Sequence, residues 1–490
     1  MGTTNSAAAG RFTRESSPLT QPMMHGTAPL TARLEPWMEK VISDPDLCQE
    51  LIKQYGSPLN LHDYSSMGRN IAELRAAAEA HEIDFQIYLA RKANKTLGAI
   101  DKAIAEGCGI DVASFHELDQ CLNRGVPTER LIVTAAVKSA ALLRLAVEHG
   151  VVISLDNVDE ATELLEIAGE SEQRVAVALR LASDNPAIPP TRFGLKADQW
   201  LSFLEQADKP GKLKVDGIHF HLNGYDGSQR ALLVAESLEL IGDLRELGQE
   251  PAFVDMGGGI PMSYLDDENQ WAGFWEALAE LPEGDESLTW KSDRLGASGP
   301  EASSAVYPFH QKVIRGGWLQ QVLETKDSAT QKTIAQMLRE RGIQLRCEPG
   351  RSLLDGCGLT LAEVAFTKTR SDGAPLVGLH MNRTQCRSTS ADFLLDPLLI
   401  PTGSGRQERE PCDGFLVGAY CIEEELILRR RFEFPLGVGK GDIVAFPNTG
   451  GYLMHIIESA SHQLPLAKNV RLEGRETILD GIDEAGASLR

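Results

Sequence analysis

A single lysine ends an apolar run early in the chain. Residues 85–92 (FQIYLARK) are typical of a buried strand, and helix-forming residues begin just after Lys92. An ammonium group is costly to bury, and desolvation lowers its pKa, which frees the amine to attack a carbonyl group. A Schiff base with a carbonyl cofactor is one chemistry open to such a lysine. The simpler alternative is a side chain that reaches solvent, and the run by itself favours that alternative.

Two later motifs are suited to binding an anion. Gly257, Gly258 and Gly259 follow a strand-like run, and backbone N–H groups without Cβ atoms can surround a phosphate. Glu348 and Arg351 occur in the sequence EPGR after another run, and a guanidinium is well shaped for phosphate. A tight turn and a strand-end ion pair are the structural alternatives. Together with Lys92, these motifs favour a phosphate-bearing cofactor.

Two other strand-like runs also end in polar residues. His219 and His221 alternate on one run, so both imidazoles are expected to face the same side of the strand, the interior if the strands close into a barrel. There they could bind a metal or stack on an aromatic cofactor. We predict no metal, because the other runs end in no further histidine. Asp111 is placed to support Lys92. Ser114 and Glu117 are better explained as a capping box of the following helix.

Composition excludes several classes of protein. The formal net charge of −22 argues against a nucleic-acid-binding surface, and no run is apolar and long enough to span a bilayer. Residues 1–28 lack the apolar core of a secretory signal and are expected to form a disordered arm. The eight cysteines have neither zinc-site nor disulfide-framework spacing. These features predict a cytoplasmic protein.

Strand-like and helical segments alternate through the first two-thirds of the chain. Eight apolar, β-branched runs occur at 87–92, 110–114, 131–135, 151–156, 175–181, 215–222, 253–257 and 345–348. Eight parallel β/α units close a (β/α)8 barrel of the TIM type, with an open doubly wound sheet as the alternative architecture. The polar residues named above end these runs. In a barrel those ends meet at one mouth, where active sites are built.

The pattern of predicted secondary structure changes after Arg351. Short β-type segments separated by Gly/Pro turns predict a second, all-β domain. We therefore assign residues 64–350 to the barrel, residues 29–63 and 351–472 to the β-domain, and 473–490 to a flexible tail. Residues 284–311 lengthen the gap before the last barrel run. They predict a solvated insertion, with a lid or substrate loop as the alternative.

Seven motifs in chain order carry a resemblance to a known family. They are 90–94 (ARKAN), 109–117 (GIDVASFHE), 219–221 (HFH), 255–261 (DMGGGIP), 348–351 (EPGR), 418–421 (GAYC) and 451–452 (GY). The chain resembles the fold type III pyridoxal phosphate decarboxylases, which include ornithine, arginine and diaminopimelate decarboxylases. The resemblance implies an amino-acid decarboxylase with pyridoxal 5′-phosphate as cofactor. It also implies a head-to-tail homodimer with active sites at the interface.

The resemblance also implies roles for individual residues. Lys92 would carry the internal aldimine, and His221 would stack on the pyridine ring. Glu348 would pair with the pyridine nitrogen and keep it protonated, so that the ring stabilises the carbanion left by CO₂ loss. Cys421 would enter from the partner subunit, and Cys421 or Lys92 would reprotonate the quinonoid at Cα. The phosphate would be held by Gly257, Gly258, Gly259, Arg351 and Tyr452.

Departures from the family pattern concern the substrate. Where relatives that act on diamino acids have an acid after the cysteine, this chain has Ile422. Glu425 is a candidate substitute, and Arg383 and Arg387 are candidates for a different anion site. Solvated charged segments are the alternative for all three. An unusual amino acid or an amino-acid conjugate therefore fits better than ornithine, lysine or diaminopimelate.

Three other functions remain open at this stage. A racemase of the same fold is disfavoured because alanine racemases, which share the lysine strand, place an arginine rather than an acid against the ring nitrogen. A metal-dependent barrel hydrolase would use His219 and His221. A non-catalytic regulatory homologue is disfavoured by the joint presence of Lys92, Glu348 and Arg351.

Overall fold

The structure is a computed structural model that describes residues 23–169, 174–208, 211–388, 392–402, 409–474 and 476–485. The strands are β1 (His25–Gly26), β2 (Leu59–His62), β3 (Phe85–Ala90), β4 (Gly109–Val112), β5 (Leu131–Val133), β6 (Val152–Leu155), β7 (Val175–Arg180), β8 (Leu213–His219), β9 (Phe253–Asp255), β10 (Gln344–Cys347), β11 (Gly358–Thr369), β12 (Pro375–Leu379), β13 (Leu398–Ile400), β14 (Cys412–Val417), β15 (Leu426–Phe434), β16 (Ile443–Pro447), β17 (Lys468–Glu473) and β18 (Glu476–Leu479).

The helices alternate with the first ten strands and become rare afterwards. They are α1 (Pro36–Ile42), α2 (Pro45–Tyr55), α3 (Ser65–Ala80), α4 (Leu97–Ala105), α5 (Phe115–Asn123), α6 (Ala140–His149), α7 (Val158–Gly169), α8 (Ala197–Ala207), α9 (Gly227–Glu246), α10 (Glu268–Glu280), α11 (Arg315–Glu324), α12 (Ile334–Arg341) and α13 (Gly481–Ala485). None of these described helices is both long and apolar enough to cross a membrane.

Strands β3 to β10 form a closed parallel barrel, which confirms the predicted (β/α)8 architecture. All eight predicted runs correspond to its strands. The strands are short and apolar, and helices cover the outside, so the strand side chains are nearly all buried. The start of α5 also follows the capping preference expected from its sequence. Ser114 caps α5 by accepting from the Glu117 amide at 3.2 Å, as predicted.

The second domain is mostly sheet, which confirms the predicted β-domain. Its strands run in the order β1-β15-β14-β12-β11-β2-β17-β18, and β16 joins β11 to β13. Strand β2 comes from the N-terminal part of the chain and pairs antiparallel with β11 and parallel with β17. Helices α1 and α2 pack against this part of the sheet through apolar residues that include Met38, Val41 and Leu51.

The insertion at 284–311 is packed rather than solvated, so that prediction is wrong. Trp290 is 4% exposed and contacts Phe415 of the sheet edge-on, with ring centroids 5.2 Å apart. Phe309 is fully buried, and its carbonyl accepts from the Tyr264 amide at 2.8 Å. The insertion therefore links the sheet domain to the loop that follows β9, although its sequence lies in the range assigned to the barrel.

The chain ends are also more ordered than composition predicts. Residues 23–28, assigned to a disordered arm, include β1, which pairs with β15, and Met24 is 2% exposed. Residues 476–485, assigned to a flexible tail, form β18 and α13. Residues 1–22 and 486–490 lie outside the described part of the chain.

Asp480 explains why the C-terminal segment is ordered. Its carboxylate is buried and accepts from the backbone amides of Leu97 at 2.8 Å and Gly98 at 2.9 Å. These amides begin α4, whose own N-cap residue Thr96 provides no side-chain hydrogen bond. The C-terminal segment therefore supplies the cap of the helix that follows the Lys92 turn.

We expect Asp480→Ala to lower the free energy of unfolding by about 1 to 2 kcal/mol, because two amides of α4 lose their acceptor. Denaturant unfolding measures this change. Glu484→Ala, an exposed change in α13, is the matched control and should have little effect. Equal stability of the two variants would contradict the capping role.

Candidate active site

The ends of the barrel strands bring Lys92 to a buried carboxylate. Strand β3 ends at Ala90, and Lys92 lies in the single helical turn that follows. Register pairs Ala90 with Asp111 on β4, and Lys92 Nζ donates to Asp111 Oδ2 at 2.9 Å. Asp111 is buried and also accepts from the Thr134 hydroxyl of the neighbouring strand end. The predicted support of Lys92 by Asp111 is thus present.

The electrostatics of Lys92 differ from the sequence-based expectation. Burial acts to lower the pKa of the amine, as expected, but the Asp111 and Glu348 carboxylates outweigh it and raise the pKa. The Lys92 side chain remains 39% exposed at the barrel mouth, so a molecule from solvent can reach it. In the chain without a ligand, Lys92 therefore holds its proton.

A buried polar array lies behind Lys92. His219 ends β8, and its Nδ1 is hydrogen-bonded to the Ser154 hydroxyl of β6 at 2.6 Å. Its Nε2 lies 3.6 Å from Glu348 Oε2. Register places Asp255 of β9 beside His219, and Asp255 Oδ1 accepts from the Gly257 amide at 2.9 Å. His219 Nε2, Asp255 Oδ2 and Glu348 Oε1 have no hydrogen-bond partner among the described residues.

The two acids of this array hold protons more tightly than usual. Burial, and then the Asp111 charge, raises the pKa of Glu348 to about 8. Burial, and then the Glu348 charge, raises the pKa of Asp255 to about 7. Burial and the nearby Arg180 cation lower the pKa of His219 to about 3, so the imidazole is neutral. Glu348 Oε1 is therefore a buried acid group that lacks a partner, and a basic ring nitrogen would satisfy it.

The glycine motif lies beside His221. Gly257 and Gly259 have φ values of +66° and +79°, which favour glycine. A Cβ on Gly257 would come within 2.5 Å of the Phe220 carbonyl oxygen and 3.2 Å of His221 Nδ1. The His221 ring also meets Phe193 edge-on at 5.6 Å. The motif therefore requires glycine at these positions and lies against an imidazole, and its binding of a phosphate stays a prediction.

Arg351 has aromatic neighbours rather than an acid. Its guanidinium carbon lies 4.0 Å from the Tyr307 ring centroid and 5.3 Å from that of Tyr452. It donates to the Tyr264 hydroxyl at 3.4 Å and to the Ser388 hydroxyl at 3.2 Å. No carboxylate of the described residues forms an ion pair with it. A guanidinium kept free of acids in this way is ready to bind a phosphate.

Together these features fit pyridoxal phosphate. Glu348 offers a partner for the ring nitrogen, Lys92 a nearby amine, and Arg351 with the glycine motif a binding place for phosphate. The metal alternative fits less well. Ligand atoms of His219, Asp255 and Glu348 do lie within 4.8 Å of one another. However, His221 is not in this group, so the predicted pair of histidines does not converge.

The candidate substrate residues are engaged inside the sheet domain. Glu425 is 4% exposed and accepts from the Arg383 amide at 2.8 Å. Arg383 Nε lies 3.7 Å from Glu425 Oε2, and Arg387 donates to Asp392 at 2.7 Å. Their charges are thus paired with each other or with Asp392. Cys421 is exposed, and its amide faces His462 Nε2 at 3.4 Å.

Sequence reasoning missed several residues of the site. Thr134 and Ser154 hydrogen-bond to Asp111 and His219, and both are polar residues on otherwise apolar strand runs, a signal that could have identified them. Arg180 donates to Asp156 at 3.1 Å at the same strand ends. Tyr307 gave no signal, because it comes from an insertion without a recognisable pattern.

Comparisons with known proteins identify the family. A family model described as the pyridoxal binding domain of pyridoxal-dependent decarboxylases matches residues 68–285. A diaminopimelate decarboxylase of Zymomonas mobilis is 30% identical over 451 residues, which cover 88% of this chain and 91% of that protein. An uncharacterised protein of Sinorhizobium fredii is 28% identical over 415 residues, 84% of this chain and 87% of that protein.

Solved structures share the fold. Diaminopimelate decarboxylase of Helicobacter pylori, complexed with L-lysine, has a TM-score of 0.66 at 17% identity and covers 90% of this chain and 98% of its own. The arginine decarboxylase of Paramecium bursaria Chlorella virus, bound to agmatine, has a TM-score of 0.61 at 16% identity and covers 88% of this chain and 100% of its own.

The raised pKa of Glu348 predicts how stability depends on pH in the cofactor-free protein. The folded state keeps a proton up to about pH 8 that the unfolded chain loses near the ordinary value of 4.5. The contribution of Glu348 to stability should therefore fall as pH rises between these values, by up to about 1.4 kcal/mol per pH unit. Glu348→Gln should flatten this slope.

Denaturant unfolding of the cofactor-free protein at several pH values measures the slope. Glu39→Gln, an exposed change in α1, serves as the control and should leave the slope as in the wild type. If Glu348→Gln and Glu39→Gln give the same slope, Glu348 does not hold the proton.

Proposed function

The chain belongs to the fold type III pyridoxal phosphate-dependent amino-acid decarboxylases, and from this premise we propose that it removes the α-carboxyl group of an amino acid or amino-acid conjugate as CO₂. The observation that carries the proposal is the meeting of three groups at one barrel mouth. Lys92 provides an accessible amine, and Glu348 a buried acid whose Oε1 has no hydrogen-bond partner among the described residues. Arg351 provides a guanidinium that forms no ion pair with a carboxylate in the described part of the chain.

When bound, pyridoxal phosphate supplies an electron-withdrawing ring that stabilises the negative charge left on Cα as CO₂ leaves. The chain's own residues prepare for this. In the cofactor-free chain Glu348 holds a proton, which its carboxyl group would donate to the ring nitrogen. The ion pair would then be compensated in a buried place where neither charge is stable alone. His221 would cover one face of the ring.

Lys92 has two tasks in this proposal. Its amine would hold the cofactor through the aldehyde once it has released its proton, and Asp111 keeps Nζ in one position at 2.9 Å. Because Asp111 and Glu348 raise its pKa, an Nζ that is not attached to the cofactor would carry a proton that it could deliver to Cα.

Glu348 also distinguishes decarboxylation from racemisation. An acid at the ring nitrogen keeps the ring protonated and maximises electron withdrawal, which favours breaking the bond to the carboxylate. His219 is neutral and lies 3.6 Å from Glu348, so no cation opposes the proton on the ring nitrogen from that side.

The substrate is inferred to end in a neutral or anionic group rather than an amine. Ile422 is 44% exposed beside Cys421, Glu425 is engaged with Arg383, and Glu424 pairs with Lys291 at 2.5 Å. Two of the three acids in that turn, Glu424 and Glu425, are therefore engaged and do not remain free for a distal ammonium.

A cavity beside His221 points to the same substrate class. It has a volume of about 280 Å³, and Arg192 lines it. No carboxylate of the described residues forms an ion pair with Arg192. This arginine is therefore available for a distal anionic group of the substrate.

We further propose that the enzyme acts as a homodimer. The Cys421 thiol and the Ile422 side chain are both exposed in the single chain. A second copy placed head to tail would bring this turn to the opposite barrel mouth, where Cys421 can serve as an alternative proton donor.

The direct test is CO₂ release by purified enzyme with added cofactor across matched substrates. Lysine and 2-aminoadipate have similar lengths but end in an amine and a carboxylate, and acylated lysine is the neutral member of the set. We expect release from the neutral or anionic compounds to exceed release from lysine and diaminopimelate by at least tenfold. Lys92→Ala should abolish release from all of them, with Lys95→Ala as a neighbouring lysine control.

Two results would contradict the proposal. Release that persists in Lys92→Ala would refute the role of Lys92. A preference for lysine or diaminopimelate would refute the substrate class while leaving the decarboxylase activity in place.

A further inference from the structure

The insertion at 284–311 brings one aromatic residue to the proposed phosphate site. Tyr307 is 8% exposed, and its ring centroid lies 4.0 Å from the guanidinium carbon of Arg351. A guanidinium over an aromatic face is held by the ring quadrupole without being neutralised. An acid in that position would instead compete with an incoming phosphate for the same N–H groups.

The hydroxyl of Tyr307 is hydrogen-bonded to residues other than Arg351. It donates to the Met262 carbonyl at 3.4 Å and accepts from Gln311 Nε2 at 3.3 Å. These contacts fix the ring against the loop after β9, and Gln311 donates to the same Met262 carbonyl at 3.0 Å. The ring face is therefore the part of Tyr307 that acts on Arg351.

The remaining neighbours of Arg351 hold its side chain in one orientation. Tyr264 and Ser388 accept from separate guanidinium nitrogens at 3.4 and 3.2 Å. Tyr307 also meets Tyr264 and Tyr225, with ring centroids 5.9 and 5.7 Å away. Since a long arginine side chain has many rotamers, this enclosure reduces the entropy lost when a phosphate binds.

We propose that Tyr307 is a positioning residue for the cofactor phosphate, and that the insertion serves to place its ring against Arg351. This inference rests on the proposed function, because it assigns the anion at Arg351 to pyridoxal phosphate. It gives the insertion a role in the cofactor site rather than in covering the substrate.

The test compares two ligands that differ only in the phosphate. Cofactor-free enzyme is titrated with pyridoxal 5′-phosphate and with pyridoxal, and the ratio of the two Kd values reports the phosphate contribution. Tyr307→Leu should weaken pyridoxal phosphate binding about tenfold and leave pyridoxal binding unchanged. Tyr307→Phe keeps the ring face and loses only the hydroxyl, so its ratio should stay within about twofold of the wild type.

A second variant, whose ring has nearly the same shape, tests the contact with Arg351 if Tyr307→Leu does not fold. Pentafluorophenylalanine in place of Tyr307 retains a ring of nearly the same shape but reverses its quadrupole, and it should weaken pyridoxal phosphate binding as Tyr307→Leu does. Thermal unfolding of each cofactor-free variant checks that the fold is intact.

The outcomes separate this inference from the proposed function. A wild type that binds both compounds, with a ratio that neither Tyr307→Leu nor the fluorinated variant changes, overturns the role of Tyr307 alone. Equal loss of affinity for both compounds also overturns it, since the effect would then not involve the phosphate. A wild type that binds neither compound overturns the inference together with the proposed function.

Discussion

Asp111 is fully buried, and its only cationic neighbour within hydrogen-bond distance is Lys92 Nζ, at 2.9 Å among the described residues. The carboxylate is stable in that position only while a cation faces it, and the cation is held only while the acid remains ionised. Burial, and then the Asp111 charge, opposes the ionisation of Glu348, which therefore holds a proton. The barrel mouth thus contains an ion pair, between Lys92 and Asp111, and a protonated acid, Glu348, whose Oε1 has no hydrogen-bond partner among the described residues.

The rest of the fold keeps these groups in place. Barrel register pairs Ala90 with Asp111 and His219 with Asp255, so a slip of one residue in either pair would turn a site residue outward. The sheet domain and the insertion enclose Arg351 from the other side. The C-terminal segment caps α4, the helix that follows the Lys92 turn, through Asp480. Parts of the chain far apart in sequence therefore all support one small region.

How much of the fold and of the site could be predicted from the sequence depends on how far apart in the chain the interacting residues lie. Alternation of apolar strands and helices is local, so the barrel strands and the polar residues at their ends were predictable. The ionisation of Lys92 was not, because it depends on Asp111 and Glu348, which other strands bring to the amine. The pairing of Glu425 with Arg383 and the packing of Tyr307 on Arg351 join residues more than 40 positions apart, so local patterns do not predict them. Composition suggested disorder at residues 23–28 and 476–485. Residues 25–26 instead pair with the distant strand β15, and β18 forms a hairpin with β17, which itself pairs with the distant strand β2.

The central claim is that Glu348 pairs with a protonated ring nitrogen in the loaded enzyme. Nuclear magnetic resonance of bound cofactor, isotopically labelled at that nitrogen, observes the proton directly. Near neutral pH we predict the chemical shift of a protonated pyridinium in the wild type and of an unprotonated ring in Glu348→Gln. An unprotonated ring nitrogen in the wild type would contradict the account.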